Sequence, residues 1–245
     1  MKDSKMLKIW ERALLAPLFA VLAVWMVYWA EVRFDFNFNH LGVQPRTLSG
    51  LKGVFLSPFI HSSAEHLYNN TIPLAVLTFF LFLFYKGVAF RVLLLGVLGS
   101  GILTWLIGRP SYHIGASGLI YVLASFIFFK GIFTKHYRLV ALSLIVVFVY
   151  GSMIWYVFPI RDGISWEGHL SGFLTGLLLA LFLRVHTPKE KKYYWEKEDF
   201  DEENDPFLQH FDADGNFIST SEKFEEFKEQ IEIKYHYKSK DGKEE

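Results

Sequence analysis

The 245-residue chain contains no cysteine. That absence excludes disulfides, thiolate metal centres and a cysteine nucleophile, so any loop must hold its shape without covalent help. Excess charge is missing too: 25 Lys and Arg balance 25 Asp and Glu, and no basic patch points to nucleic acid as a partner. The balance hides a split, because from Asp199 onward fifteen Asp and Glu stand against six Lys. What the chain has in abundance is apolar length. Hydrophobic residues make up 52% and aromatics 18%, and the mean hydropathy is +0.24 despite the charged last quarter. The first three quarters are therefore more apolar than a soluble core requires.

Six apolar segments of roughly 18 to 22 residues each match the length of a helix that crosses the hydrocarbon. They run approximately over Ala13–Glu31, His66–Tyr85, Phe90–Ile107, Gly115–Ile132, Arg138–Phe158 and Glu167–Leu183. Short linkers predict a helical bundle over residues 1–186, followed by an acidic tail or small α+β appendage over 187–245. Lys2, Lys5, Lys8 and Arg12 imitate the start of a signal peptide, but the apolar stretch after them is too long and lacks a convincing cleavage site, which predicts a retained helix. Lys and Arg divide about thirteen to five between the two sides of the bundle, and the richer side predicts cytoplasmic termini.

In that topology the second, fourth and sixth segments all start at the outer face. Their first turns carry His66 with Asn70, Ser117, and His169. Polar groups in lipid are costly and mark working sites, so three polar clusters at one depth predict a shared site. A serine and a histidine on separate helices are the minimum parts of a nucleophile and its base.

The runs His61-Ser-Ser-Ala-Glu-His66-Leu-Tyr-Asn-Asn70, Gly115-Ala-Ser117-Gly-Leu-Ile-Tyr121 and His169-Leu-Ser-Gly172-Phe-Leu-Thr-Gly176 together resemble the rhomboid family of intramembrane serine proteases. The resemblance covers about Leu14 to Leu183, with the motifs in the family's order. It implies an all-α, six-transmembrane-helix bundle, Ser117 as nucleophile and His169 as general base. It also implies that Tyr121 packs on the imidazole and that Asn70 and His66, with Gly115 in support, help hold the oxyanion. The Ser117 backbone amide would be a further donor, and His61 would organise the loop. Neither metal nor organic cofactor is implied. The implied partners are the lipid bilayer and the transmembrane segments of other proteins, which enter between the second and fifth helices. The six-helix form resembles the basic bacterial one, and the absence of an obvious organelle address favours a bacterial inner membrane.

Taken singly, each motif has a plainer reading. Small residues such as those around Ser117 are common where membrane helices approach closely, and Leu119 stands where a hydrolase elbow wants its second glycine. His169 alone could be a satisfied interior histidine. Gly172 and Gly176, however, form a small face that would bring it near a neighbouring helix. Asn70 could merely bond another helix. No aspartate is placed to complete a triad, which fits a dyad. The chain also departs from many rhomboids in one respect: Glu31 to Ile60 holds no tryptophan, hence no Trp-Arg pair, although Phe34, Phe36, Phe38, Phe55 and Phe59 can supply interfacial aromatics.

Two other functions fit part of the pattern. A rhomboid-like protein that binds transmembrane clients without cutting them usually lacks the serine or the histidine, and this chain has both. A histidine-box metalloenzyme would need nearly all nine histidines clustered, whereas His40, His136, His186, His210 and His236 are scattered over both sides. In the tail, Asp212-Ala-Asp214-Gly-Asn216 imitates a calcium loop. Phe217 occupies its obligatory glycine position and Lys223 its bidentate glutamate position, so a hairpin turn between Phe211 and Phe217 is the better expectation. Ser219 and Glu222 suggest a capping box for a helix to about Gln230, and Ile231 to Tyr237 alternate like a strand.

Overall fold

The computed structural model describes residues 2–160, 163–186, 193–212 and 214–218, with side chains from Ile9 onward. The chain divides into two compact units, Met1–Thr187 and Pro188–Glu245. Six long helices occupy the first unit among the described residues: α1 (Lys2–Phe34), α2 (Ala64–Phe84), α3 (Ala89–Ile107), α4 (Ser117–Thr134), α5 (Tyr137–Tyr150) and α6 (Trp166–Phe182). No named strand occurs among the described residues.

Five segments are long and apolar enough to cross a membrane: Ile9–Phe34, Ala64–Phe84, Ala89–Ile107, Ser117–Thr134 and Tyr137–Val157. Helix α6 has 17 residues, roughly 26 Å at about 1.5 Å per residue, somewhat less than the roughly 30 Å hydrocarbon core. The expected fifth span changes character partway. It is α-helical to Tyr150 and then tightens into a 3-10 turn over Gly151–Val157. The fourth starts two residues later than the sequence suggests, at Ser117.

The outer surface of this unit is what lipid requires. Phe148 is 91% exposed, Phe182 78%, Phe90 67% and Met26 66%. In water that would be a large unprotected apolar surface; in hydrocarbon it is the favoured state. The chain is an integral, multi-pass membrane protein.

Helix α4 sits at the centre, packed on α6, α5, α3 and α2, with Ile120, Val122, Leu123, Phe126 and Ile127 buried. Since lipid is as apolar as leucine, side-chain-to-carbonyl bonds supply much of the specificity between membrane helices. Ser125 Oγ donates to the Phe173 carbonyl at 2.8 Å, Ser143 Oγ to that of Phe128 at 2.9 Å, and Lys130 Nζ to that of Ala180 at 2.9 Å. The last bond satisfies a carbonyl in the final turn of α6, where no helical amide is left to do so.

In the second unit Phe211 and Phe217 pair across a turn, as the hairpin reading expects. Asp212 holds that turn: its carboxylate accepts the Asn216 amide at 2.8 Å and the Asp214 amide at 3.0 Å. These bonds, the Asn216 one foremost, hold the carboxyl below its ordinary pKa. The capping box at Ser219, the helix to Gln230 and the strand over 231–237 lie outside the described residues. So do the side chains of Lys2, Lys5, Lys8, Arg161, Lys189, Lys191 and Lys192.

Candidate functional site

Helices α4 and α6 meet through glycine. A Cβ added at Gly172 would collide with the Gly118 carbonyl and come within 2.9 Å of Tyr121 Cβ; one at Gly176 would strike the Val122 carbonyl and come within 2.8 Å of Ser125 Cβ. This close approach carries His169, one turn before Gly172, to the start of α4. There His169 Nε2 lies 3.0 Å from Ser117 Oγ.

The other ring nitrogen defines the direction of that bond. His169 Nδ1 is 2.9 Å from the Tyr156 carbonyl, and a carbonyl only accepts. In the neutral ring Nδ1 therefore carries the proton, and Nε2 offers its lone pair to the serine hydroxyl. Tyr121 stacks on the imidazole, with centroids 4.4 Å apart and planes 14° apart, and its hydroxyl donates to the Met153 carbonyl at 2.6 Å. Both carbonyls come from the 3-10 turn after α5. The broken helix spares them from regular i to i+4 bonding, which is why they can hold Tyr121 and His169.

Gly115 leads into Ser117 with φ +105°, a conformation that suits glycine. A Cβ there would also lie 2.6 Å from His66 Nε2. Its amide donates to the Ser57 carbonyl at 2.8 Å. His66 thus faces the approach to Ser117, with Nδ1 3.3 Å from Ser62 Oγ. Asn70 is buried and spends one amide hydrogen on its own helix, donating to the His66 carbonyl at 2.8 Å, which leaves the other for a ligand. Its bond is therefore to α2 itself, not to another helix. Among the described residues, neither Asn70 nor His66 is hydrogen-bonded to Ser117. The Ser117 amide sits at the first position of α4, where no helical carbonyl can reach it.

His61 is buried beneath this loop, edge-on to His66 at 5.0 Å. Its Nε2 accepts the Ala116 amide at 3.4 Å. Burial, reinforced by neighbouring His66, lowers its pKa from 6.5 to about 4. The unfolded chain thus binds a proton that the folded one refuses. Stability is expected to be intact above pH 6.5 and to fall as pH drops from there to about 4. The His61→Phe variant should lose part of that acid slope in thermal unfolding measured in detergent. An unchanged slope would contradict this role.

The loop after α1 lacks a Trp-Arg pair, and the structure anchors it by another route. Trp105 Nε1 of α3 donates to the Thr47 carbonyl at 2.7 Å, and Arg46 donates to the carbonyls of Leu106 and Gly108 at 3.1 and 2.9 Å. A tryptophan and an arginine still pin the loop, but from separate elements. Of the expected aromatics, Phe34, Phe36, Phe55 and Phe59 are exposed. A cavity of about 30 Å³, lined by Ser100, Thr104, His113 and Ser165, adjoins Ser117 and has room for about two waters.

The family model described as Rhomboid domain matches residues 49–186, more than half of the chain. The chain belongs to the rhomboid family. It is 37% identical over 171 residues to an uncharacterized protein of Mycobacterium tuberculosis and equally to one of Mycobacterium bovis, covering 65% of this chain and 68% of each relative. An uncharacterized protein of Mycobacterium leprae is 34% identical over 164 residues, covering 63% of this chain and 65% of the relative. The rhomboid match spans Ser57, His61, His66, Asn70, Ser117, Tyr121 and His169. It stops before the acidic second unit. Sequence reasoning missed His113, Ser165 and the carbonyls of Met153 and Tyr156. Backbone acceptors leave no mark in a sequence, and His113 and Ser165 lie outside the three motifs.

Proposed function

We propose that this rhomboid is an intramembrane serine endopeptidase that cleaves transmembrane segments of other membrane proteins near the outer face, using Ser117 and His169. The observation carrying the reading is the 3.0 Å approach of Ser117 Oγ to His169 Nε2, with the ring's other nitrogen committed to a carbonyl. Helix α6 serves as the sixth span and the termini are cytoplasmic, in a bacterial inner membrane. Residues 1–186 form the catalytic domain and 187–245 a cytoplasmic appendage.

Ser117 Oγ attacks the scissile carbonyl carbon while His169 Nε2 takes the hydroxyl proton. The tetrahedral oxyanion is held by the Ser117 amide, the spare Asn70 amide hydrogen and His66. Collapse breaks the C–N bond as His169 returns the proton to the leaving amine, leaving an acyl ester on Ser117. A water then attacks the ester, His169 takes its proton, and the acid product leaves as Ser117 Oγ is reprotonated. Backbone fixation of His169 does the orienting work that a carboxylate does in a triad. Water can arrive through the small cavity beside Ser117, onto which Ser100, Thr104, His113 and Ser165 border.

A substrate helix must unwind to present its bond. Small or helix-breaking residues lower that cost, since glycine and proline weaken helices by about 1 and 3 kcal/mol. Helix α5 packs principally on α4, which suits passage of a substrate between α2 and α5.

Labelling of the purified protein by a fluorophosphonate in mild detergent, beside a known rhomboid protease, tests the proposal. An unlabelled wild type next to a labelled control would shift the reading to a protein that binds transmembrane clients without cutting them. Asn70→Ala is expected to keep a residual cleavage rate about a hundredfold below wild type, the usual effect of losing one oxyanion donor. A wild-type rate in that variant would remove Asn70 from the oxyanion site.

A further inference from the structure

A second serine and histidine meet four residues upstream of the first pair, with their roles exchanged between the helices. His113 precedes Ser117 by four residues, and Ser165 precedes His169 by four. His113 Nδ1 lies 2.6 Å from Ser165 Oγ. His113 Nε2 lies 3.1 Å from the Arg109 carbonyl, so in the neutral ring Nε2 carries the proton and Nδ1 accepts from the serine. Ser165 Oγ in turn accepts the Gly168 amide at 3.3 Å and caps α6.

Neighbouring bonds stiffen this joint. The Arg109 amide donates to Glu167 Oε1 at 3.2 Å and its guanidinium to the Ile164 carbonyl at 2.6 Å. Glu167 is 1% exposed, and the Arg109 guanidinium lies 3.7 Å from the same oxygen. On the other side, the amide and carbonyl of His113 exchange two 2.9 Å bonds with Val43. Residues 109–113, outside any long helix, are thereby tied both to the first turn of α6 and to the loop after α1.

We propose that His113 and Ser165 are a positioning pair that sets the spacing and rotation of Ser117 relative to His169. The N-cap determines where the first turn of α6 begins, and His169 lies one turn inside it. A cap that shifts carries the imidazole with it. The loss of such a support acts through geometry, and an error of about 1 Å in a reacting group costs about a hundredfold in rate. The proposal rests on the catalytic reading of Ser117 and His169, and the test separates the two.

The first arm measures the rate of fluorophosphonate labelling at saturating reagent. Ser165→Gly removes the hydroxyl while keeping a tolerated N-cap residue, and His113→Ala removes its partner. Each is expected to slow labelling about tenfold to a hundredfold, with the double variant no slower than either alone because the two act as one unit. Ser165→Thr, which keeps a hydroxyl, and His113→Asn, which keeps an acceptor, should recover most of the rate. A purely structural loss would instead reduce the folded fraction and leave the rate of the folded protein unchanged.

The second arm needs no catalysis. The chain has no cysteine, so Ser117→Cys with His169→Cys creates a clean thiol pair whose bridging by dibromobimane reads the distance between the two helix starts. Rapid bridging should be lost when Ser165→Gly or His113→Ala is added and restored with His113→Asn. If wild type labels and the upstream variants label at the same rate, the positioning pair is overturned and the protease reading survives. If wild type never labels but bridging depends on His113 and Ser165, the protease reading falls and the positioning pair stands. Bridging indifferent to both residues overturns the pair in either case.

Discussion

The Ser117→Ala protein is expected to lose fluorophosphonate labelling entirely and to cleave a transmembrane substrate at least about a thousandfold more slowly than wild type, with His169→Ala close behind. The two losses should be nearly equal, and the double variant no worse than either, because a nucleophile without its base and a base without its nucleophile are equally idle. The Ser117 hydroxyl bonds to His169 at 3.0 Å and sits at the edge of a small cavity. Removing its oxygen therefore leaves the packing of α4 and α6 intact. Thermal unfolding in detergent should change little in Ser117→Ala. Normal turnover by purified Ser117→Ala would sink the mechanism.

Gly172→Val is expected to be as damaging by a wholly different route. Its Cβ has nowhere to go except into the Gly118 carbonyl and the Tyr121 side chain. Those are backbone and the Cβ of the tyrosine whose ring already stacks on His169, so α6 must move away. Overpacking of this kind costs about 1–3 kcal/mol, which should appear as a lower unfolding temperature. The displacement also withdraws His169 from Ser117, for a further loss of about a hundredfold or more in labelling rate. Gly87→Ala is the matched control: nothing lies within 4 Å of an added Cβ there, and both measurements should stay at wild type. Wild-type labelling by a folded Gly172→Val protein would refute the idea that glycine at this position is what brings the two helices within reach.

Much of the fold was legible because membrane insertion reads a property that adds up along the chain. Apolar length marked five helices long enough to cross a membrane, and the motif spacing put Ser117, His169 and Tyr121 within about the first turn of α4 and α6. The glycines at 172 and 176 were legible for the same reason, since a small residue every fourth position defines a face before any partner is known. The end of the α5 segment was not. Its residues Gly151–Val157 are as apolar as a helix, and hydropathy cannot tell an α-turn from a 3-10 turn. That change of winding nevertheless supplies the two carbonyls that hold Tyr121 and His169.

The same distinction separates the two anchoring schemes in the loop. A Trp-Arg pair adjacent in sequence is a string that can be searched for; Arg46 and Trp105 are far apart in the chain and meet only once α3 is in place. His113 and Ser165 are likewise unremarkable letters until 52 residues of chain fold back to put them 2.6 Å apart.

By itself, then, the sequence determined that this protein lives in a membrane, that its helices pack through small residues, and which serine and histidine stand near the starts of apolar segments. These follow from composition and from local periodicity, which need no partner. Only the tertiary structure decided which nitrogen of His169 faces Ser117, which carbonyls fix that ring, and what ties the two helix starts together. Hydrogen bonds to backbone oxygens and contacts across long loops depend on the approach of groups in space, and no residue type encodes that approach alone.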